Sequence, residues 1–185
     1  MNCCFCNGAM KEEIIDRHEE NLLGVPVVLV RTVVRAVCQS CGEDMLSIPD
    51  TSGLIANIAV LRCLLSLKLS SAELKFMRKA LEMTGREFAA LMETTPETVS
   101  RWENNSQGVG GYVEKILRQK VCRLLKDQAP GVDYAPEMIL DMKIVEDRNR
   151  SGEASIPLVF EQVKFRRCGA THAERIWDVA PSKAA

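Results

Sequence analysis

The apolar positions of the first 50 residues follow the pattern of β-strands. Residues 25–38, VPVVLVRTVVRAVC, are rich in β-branched side chains and predict one long strand that leads into a pair of cysteines. The stretch from Glu12 to His18 predicts its partner, with the connecting turn in the region from Asn21 to Gly24. The sequence therefore predicts a β-hairpin near the N-terminus.

Beyond residue 50 the apolar spacing changes to the period of helices. Leu54, Ile58, Leu61 and Leu65 recur at this spacing and predict a helix that links the hairpin to the rest of the chain. Helix-start signals then predict four more helices. These signals are the capping boxes Ser70–Glu73 and Thr84–Glu87, the N-cap Thr95 followed by Pro96, and a glycine-rich loop at 108–111 before a helix over 112–126.

The two short helices that begin near Thr84 and Thr95 resemble a helix-turn-helix in their spacing. A tight turn separates them, and the small Ala89 allows the two helices to approach closely. Apolar side chains mark the inward faces of the three helices between residues 70 and 104. They are Leu74, Met77 and Leu81, then Phe88, Ala89 and Met92, then Val99 and Trp102.

Beyond Pro130 the signals are weaker. Residues 131–147 predict a short helix, residues 147–155 a polar turn and residues 156–165 a strand. Cys168 and His172 have the spacing of metal ligands, but two ligands alone make a poor site. The sequence does not indicate what this stretch does.

Four of the eight cysteines stand in two C-x-x-C pairs, Cys3/Cys6 and Cys38/Cys41. Two residues between thiolates let a turn direct both sulfurs at one ion, and two such turns complete a tetrahedron. A four-cysteine set of this kind favours one structural Zn²⁺ per chain. Cys4 could replace Cys3, although the single residue between Cys4 and Cys6 gives poor geometry.

Charge is unevenly distributed along this chain of 185 residues, whose net charge is −1. Residues 66–128 carry 11 Lys/Arg against 8 Asp/Glu and are the only basic third. This balance is compatible with a nucleic-acid-binding face and with an ordinary solvated surface. A hydrophobic content of 46% and a charged content of 26% are typical of a soluble globular protein.

A cytoplasmic location is expected. The N-terminal residues lack the basic and apolar pattern of a signal peptide. The most apolar run, Leu54 to Leu69, is too short for a membrane span and is interrupted by Asn57, Arg62 and Lys68. Eight cysteines without a secretory signal also suit metal ligation in a reducing compartment.

The segment LKFMRKALEMTGREFAALMETTPETVSRWENN resembles the helix-turn-helix of phage repressors of the XRE/Cro type. In that family an arginine of the first helix pairs with a glutamate that follows the aromatic residue of the recognition helix. Arg78 and Glu103 occupy these positions. The resemblance implies a partly buried ion pair between them that holds the third helix in place.

Together with the cysteines, the match covers residues 1–128 and resembles the MqsA (YgiT-type) antitoxin family. The resemblance implies a zinc ion on the four cysteines, dimerisation through the DNA-binding half and repression of the protein's own operon. It also implies that the N-terminal half can bind a partner toxin. The sequence departs from the family pattern at Gly85, Glu93 and Glu97.

The predicted fold class is α+β, with three parts. A β-rich four-cysteine zinc domain with its linker helix covers residues 1–66. An all-α XRE/Cro-like domain covers residues 67–128, and a mixed C-terminal extension covers residues 129–185. If zinc stabilises the first part, its removal is expected to unfold residues 1–65 while the helices of 70–126 survive.

DNA contacts are expected from the helix that begins at Pro96. Arg101 can donate two hydrogen bonds to guanine, and Glu97 and Thr98 share its outward face. Phosphate contacts suit a second group of side chains. This group is Thr95, Ser100, Arg86 and Asn105. A solvated surface charge is the alternative interpretation of Arg101.

A homodimer on a palindromic double-stranded DNA operator is expected, because one helix-turn-helix touches few base pairs. The helix over 112–126 offers apolar side chains either for that interface or for closing the core of the monomer. These are Ile116, Leu117, Val121, Leu124 and Leu125.

Three functional hypotheses fit the sequence: an autorepressing antitoxin, a stand-alone transcriptional regulator, and a zinc-stabilised adaptor that binds proteins. The acidic Glu93 and Glu97 favour the third hypothesis. An enzyme is not expected, because no paired carboxylates, open metal site or phosphate-binding loop is evident.

Overall fold

The computed structural model describes residues 2–135, 137–146, 158–165 and 174–180. Within them the chain forms a mixed α+β structure with a five-stranded sheet and six helices, which confirms the predicted class. No helix of these ranges is both long and apolar enough to cross a membrane. The strands are β1 (Met10–Leu22), β2 (Val25–Cys38), β3 (Asp44–Ser47), β4 (Leu158–Phe165) and β5 (Glu174–Val179). The helices are α1 (Thr51–Leu64), α2 (Ser71–Ala80), α3 (Gly85–Leu91), α4 (Pro96–Glu103), α5 (Gly111–Leu125) and α6 (Glu137–Asp141).

β1 and β2 form the predicted hairpin. The strand predicted over 25–38 is confirmed at both ends, and its partner is longer than the predicted 12–18. Leu23 and Gly24 make the two-residue turn with φ values of 54° and 96°, the left-handed pair that a type I′ turn requires. The Asn21 side chain accepts a hydrogen bond of 2.8 Å from the Gly24 N–H and closes the turn.

A β-bulge divides this hairpin into two halves. The register shifts between Ile15 and Arg17, and Arg31 on the opposite strand has a left-handed φ of 51°. On the cysteine side of the bulge, β3 pairs with residues 34–37 of β2. On the turn side, β4 runs parallel to β2 at residues 27–29. The two halves of the hairpin therefore have different neighbours.

The described part of residues 129–185 completes the sheet that the N-terminal hairpin begins. The strand order is β1-β2-β4-β5, with β3 beside β2. The fully buried Trp177 of β5 donates its indole N–H to the carbonyl of Asp50 at 2.8 Å, which ties β5 to the start of α1. The strand predicted over 156–165 and the short helix within 131–147 are confirmed over the described residues. The predicted turn over 147–155 and the pair Cys168 and His172 lie outside those residues.

Helix α1 is a central core element as well as the connection between the hairpin and the later helices. Leu54, Ile58 and Cys63 are fully buried, and buried side chains occur on all its sides. Leu65 is the residue directly after the last helical residue and is exposed, so the predicted apolar spacing extends one residue beyond the helix. The sheet, α1 and the later helices share one hydrophobic core.

The helix-start signals of the sequence are confirmed. Both capping boxes form with reciprocal hydrogen bonds, and Thr95 caps α4 with Pro96 at its first position. α3 and α4 enclose a four-residue turn, 92–95, in which Glu93 has a left-handed φ of 52°. The predicted inward side chains Phe88, Val99 and Trp102 are buried.

Helix α5 packs its apolar stripe into the core of its own chain. Leu117, Val121 and Leu125 are buried, whereas Leu124 points away with 42% exposure. Leu117, Val121 and Leu125 therefore close the core of the monomer, which was one of the two predicted roles of this helix. Of the five predicted interface positions, Leu124 and the half-buried Ile116 remain accessible to a second chain.

Two fully buried ion pairs lie among the helices, and the sequence analysis did not foresee them. Arg62 of α1 donates to Glu73 of α2 at 2.7 Å, and both side chains have 0% exposure. The second carboxylate oxygen of Glu73 accepts the N–H of Ser70, so this residue also completes the capping box of α2. Among the described residues, the buried Arg62 Nη1 and Nη2 atoms have no hydrogen-bond partner. The signal was present, because Arg62 interrupts the most apolar run of the sequence.

The second buried pair, Glu114 with Arg118 on α5, holds the segment between α1 and α2. Arg118 donates to Glu114 at 2.7 Å and to the carbonyls of Cys63 at 3.0 Å and Leu67 at 2.5 Å. Glu114 in turn accepts the N–H of Leu69 at 2.9 Å. These bonds satisfy backbone groups of the irregular segment between α1 and α2. They fix the start of α2 relative to α5.

Candidate functional site

The two C-x-x-C pairs form matching turns. In each turn the residue after the second cysteine, Asn7 or Gly42, has a left-handed φ, 60° and 76° respectively. Its N–H donates to the carbonyl of the first cysteine of the pair, at 2.9 Å for Cys3 and 3.1 Å for Cys38. Glycine and asparagine are the residues that adopt this conformation most readily, so the local sequence itself selects the turn.

The four predicted sulfurs converge. Cys3 and Cys41 lie 3.6 Å apart, Cys6 and Cys38 lie 3.4 Å apart, and all four Sγ atoms are within 4.8 Å of one another. A Zn–S bond of about 2.3 Å gives a tetrahedron with edges of about 3.8 Å. The separations of Cys3, Cys6, Cys38 and Cys41 therefore fit one metal ion with all four ligands in place.

Backbone N–H groups are directed at the sulfurs of this cluster. The Gly8 N–H lies 3.4 Å from Cys6 Sγ, and the Ser40 N–H lies 3.4 Å from Cys38 Sγ. The N–H groups of Cys41 and Ser40 lower the pKa of Cys38 to about 6. Such donors stabilise thiolate, which is the form that binds a metal.

The pKa of a second thiol of the cluster, Cys41, is shifted in the opposite direction. The N–H of Glu43 favours the Cys41 thiolate, but hydrogen bonds with Cys6 and Cys38 and burial outweigh it and raise the pKa of Cys41 to about 12. Four adjacent thiolates repel one another, so only part of the cluster ionises on its own. A divalent cation would remove this conflict.

Cys4 does not belong to the cluster. Its side chain is exposed and lies outside the group of four, so the preference for Cys3 agrees with the geometry. Cys63 and Cys122 are buried between helices, far along the chain from the cluster, and behave as core residues.

The cysteine end of the hairpin has little apolar packing of its own. Every residue of β3 is exposed, and Phe5, the one aromatic residue of the first 65, is 75% exposed. Cys3, Ala36 and Cys38 are the buried side chains near the cluster. A module with so small a core needs another source of stability, and a metal ion on the four cysteines would supply one.

The second candidate site is the outward surface of α3 and α4. Arg86, Glu97 and Arg101 are exposed there, while Val99 and Trp102 on the opposite face are buried. Within the described residues the Arg101 guanidinium forms no hydrogen bond or salt bridge, so it is available to a ligand. Three of the side chains that were predicted to contact DNA, Arg86, Glu97 and Arg101, are therefore accessible to solvent.

The other predicted contact residues are engaged locally. Thr95 Oγ1 accepts the Thr98 N–H at 3.3 Å as the cap of α4 and lies 3.1 Å from Thr98 Oγ1. The Ser100 hydroxyl accepts from the Asn104 side chain at 3.2 Å. Asn105 has a left-handed φ of 57° where α4 ends. Thr95, Ser100 and Asn105 are exposed and can still meet a phosphate, but each already stabilises an end of α4.

Glu97 is ionised and lies one helical turn from Arg101. Its pKa is lowered chiefly by a hydrogen bond from its own backbone N–H, with further help from the Thr95 hydroxyl and the charge of Arg101. This carboxylate attracts Arg101 and would repel phosphate oxygens. The surface therefore combines an exposed arginine with an exposed carboxylate one helical turn away.

The ion pair implied by the family resemblance is confirmed. Arg78 donates to both oxygens of Glu103, at 2.7 and 2.9 Å, and its third nitrogen donates to the Met83 carbonyl at 3.1 Å. Both side chains of the pair are largely buried. A bidentate pair of this kind holds α4 against α2 and gives the outward face a fixed orientation.

A further anchor of α3 was missed by the sequence analysis. The ammonium group of Lys120 on α5 donates to the carbonyl of Leu91, the last residue of α3. The same group lies 3.9 Å from the carboxylate of the exposed Glu93. Lysine at a helix C-terminus satisfies a free carbonyl, but no local pattern in the sequence indicates a partner 29 residues away.

No protein-family model, curated protein or solved structure matches this chain. The resemblance to MqsA-type antitoxins therefore rests on the cysteine spacing and on the segment around α2 to α4 alone.

Proposed function

We propose that this chain is a zinc-stabilised transcriptional regulator that binds a specific DNA operator and represses its own operon. The observation that carries the proposal is the exposed Arg101 on α4, a helix held by the bidentate pair of Arg78 and Glu103. A reading side chain on a fixed helix meets the first requirement of sequence recognition.

In the proposed complex the N-terminal half of α4 enters the major groove. Arg101 donates two hydrogen bonds to O6 and N7 of a guanine, and such a pair discriminates bases by about 1–3 kcal/mol. Arg86 at the start of α3 neutralises a phosphate, and the hydroxyls of Thr95 and Ser100 donate to phosphate oxygens. These contacts set the register of the helix along the groove.

The regulator is proposed to act as a homodimer on a palindromic site, because one pair of short helices covers too few base pairs. Most of the apolar stripe of α5 is used inside the monomer. The contact between chains would therefore use Leu124 or surfaces outside the apolar stripe of α5.

The four cysteines are proposed to hold one structural zinc ion. Four thiolates leave no open position, so the ion supplies folding energy and no catalysis. In an autorepressing antitoxin of MqsA type, the hairpin half would also bind a toxin. A stand-alone regulator would have the same architecture without that partner.

Selection of bound duplexes from a random DNA pool tests this function and does not require the operator sequence to be known. The expected result is a motif with two-fold symmetry and a guanine in each half-site. Recovery of unrelated sequences that are released together by moderate salt would assign only a nonspecific basic surface. That outcome would favour the protein-binding adaptor, for which the exposed acidic Glu93 and Glu97 provide the specific support.

Glu97→Gln should increase DNA affinity by about three- to tenfold at low salt, because it removes a negative charge next to the phosphates. Fluorescence anisotropy with the selected duplex measures the change. Glu19→Gln, an exposed site on β1, is the matched control and should bind as the parent protein does. A clear loss of affinity in Glu97→Gln would instead assign Glu97 to a contact with cytosine.

A further inference from the structure

A cavity of about 330 Å³ lies between α5 and the segment that follows it. Gln119, Cys122, Arg123 and Lys126 line one wall and recur at the spacing of a single helical face. Tyr134 and Ile139 form the opposite wall. The volume is within the range of small-molecule sites in proteins, about 300–1,000 Å³.

Hydrogen bonds at Tyr134 and at Leu140 hold the wall that contains Tyr134 and Ile139 against α5. The Tyr134 hydroxyl donates to the carbonyl of Cys122 at 2.9 Å, and burial raises the pKa of Tyr134 to about 12, so the hydroxyl stays protonated. At the other end Lys115 donates to the carbonyl of Leu140 at 2.6 Å. Tyr134 and Leu140, which flank Ile139 in the sequence, are therefore both held against α5.

The charged side chains that line this cavity are all cationic. Lys120, Arg123 and Lys126 contribute three cationic groups, and none of the described residues that line the cavity carries a carboxylate. The tyrosine ring, the buried Ile139 and the Cys122 side chain supply apolar surface. A cavity that is lined by apolar and cationic side chains suits a ligand that is partly apolar and carries a negative charge.

We propose that this cavity binds a small organic anion, a carboxylate or phosphate ester with an apolar body. Arg123 and Lys126 hold the anionic group, and Tyr134 and Ile139 contact the apolar part. Neither the zinc cluster nor the surface of α3 and α4 takes part in this binding.

The site also has a physical connection to α3. Lys120 lines the cavity and donates to the carbonyl of Leu91 where α3 ends. A bound anion competes for this ammonium group, and the Leu91 carbonyl then loses its donor. The effect of the ligand on operator affinity rests on the proposed DNA-binding function, whereas ligand binding itself does not.

Titration calorimetry with phenyl phosphate tests the site in the absence of DNA. Phenyl phosphate should bind about tenfold more tightly than inorganic phosphate, which has only the anionic group, or benzyl alcohol, which has the aromatic ring without the anion. Arg123→Gln with Lys126→Gln should weaken binding about tenfold or more, and the distant Lys11→Gln should not change it. Amide NMR shifts on binding should concentrate at residues 119–126 and 134–139.

Two results would overturn the proposal. One is phenyl phosphate binding no more tightly than phosphate, and the other is unchanged affinity in the doubly substituted chain with its native circular dichroism spectrum retained. Operator affinity is then measured with and without saturating phenyl phosphate. Binding without any effect on DNA would leave the site in place and remove only its link to α3.

Discussion

Cys38→Ser should abolish zinc binding and unfold the cysteine end of the hairpin. Structural zinc contributes about 10–16 kcal/mol of apparent binding free energy in small zinc modules, and that energy is folding energy. Here the exposed β3 and the exposed Phe5 leave no apolar core to replace it. Metal content per chain and amide hydrogen exchange measure the two effects.

In Cys38→Ser the unfolded region should end near the β-bulge of the hairpin. Val27 and Leu29 of β2 are buried in the core shared with the helices, so the turn half of the hairpin keeps its packing. The structure thus narrows the expectation from the sequence, which assigned all of residues 1–65 to the zinc-dependent part. Amides of residues 2–9 and 38–47 should lose protection, while those of α1 and α5 keep it.

Cys4→Ser is the matched control, because Cys4 is adjacent to a ligand but exposed and outside the cluster. This variant should retain one zinc ion and the parent exchange pattern. A Cys38→Ser chain with full zinc content, or a parent chain whose hairpin exchange is indifferent to a chelator, would contradict the four-cysteine assignment.

Glu73→Ala should destabilise the folded chain by about 3–5 kcal/mol, because it leaves the buried charge of Arg62 without a counterion. Two Arg62 nitrogens already lack hydrogen-bond partners within the described residues, so the loss of Glu73 also removes the hydrogen bond of the third, Nε. Urea unfolding followed by circular dichroism gives the change in free energy of unfolding.

Glu87→Ala provides an unusually close control for that effect. Glu73 and Glu87 both complete capping boxes, with N–H···O distances of 2.8 and 2.7 Å, but Glu87 is exposed and only Glu73 pairs with the buried arginine. Loss of the Glu87 side chain should cost about 0.5–1 kcal/mol, the contribution of a cap alone. Equal destabilisation by the two variants would show that the ion pair contributes nothing measurable.

The combination Arg62→Met with Glu73→Gln should recover most of the stability that Glu73→Ala loses. Glutamine keeps the capping hydrogen bond to Ser70, and methionine fills the space of the arginine stem without a buried charge. Buried ion pairs often compare poorly with apolar replacements of similar volume. A variant as unstable as Glu73→Ala would mean that packing around Arg62, and not its charge, sets the cost.

Local signals in the sequence were sufficient for much of this structure. Ser70, Thr84 and Thr95 fix helix starts through residues three positions away, and the left-handed residues after each cysteine pair fix the turns of the four-cysteine cluster. The physical determinants of these features lie within one turn of chain. The spacing of the four cysteines likewise predicted that their four sulfurs lie close together.

Features that depend on distant partners were not evident from the sequence. The parallel pairing of β4 with β2 joins residues more than 120 positions apart, and no turn signal encodes it. The contact of Lys120 with Leu91 and the cavity beside α5 also require the folded arrangement of helices. Arg62 in an apolar run was the one visible hint of the buried ion pairs.

Operator binding by Arg101→Ala tests the central claim most directly. Anisotropy titrations at two salt concentrations would compare the parent protein, Arg101→Ala and the control Arg17→Ala, an exposed arginine on β1. On the selected duplex, Arg101→Ala should bind about 5- to 150-fold more weakly, the equivalent of one bidentate guanine contact, with a much smaller change on scrambled DNA. Arg17→Ala should match the parent. Equal affinity of Arg101→Ala and the parent protein for the selected duplex at both salt concentrations would contradict sequence reading by α4.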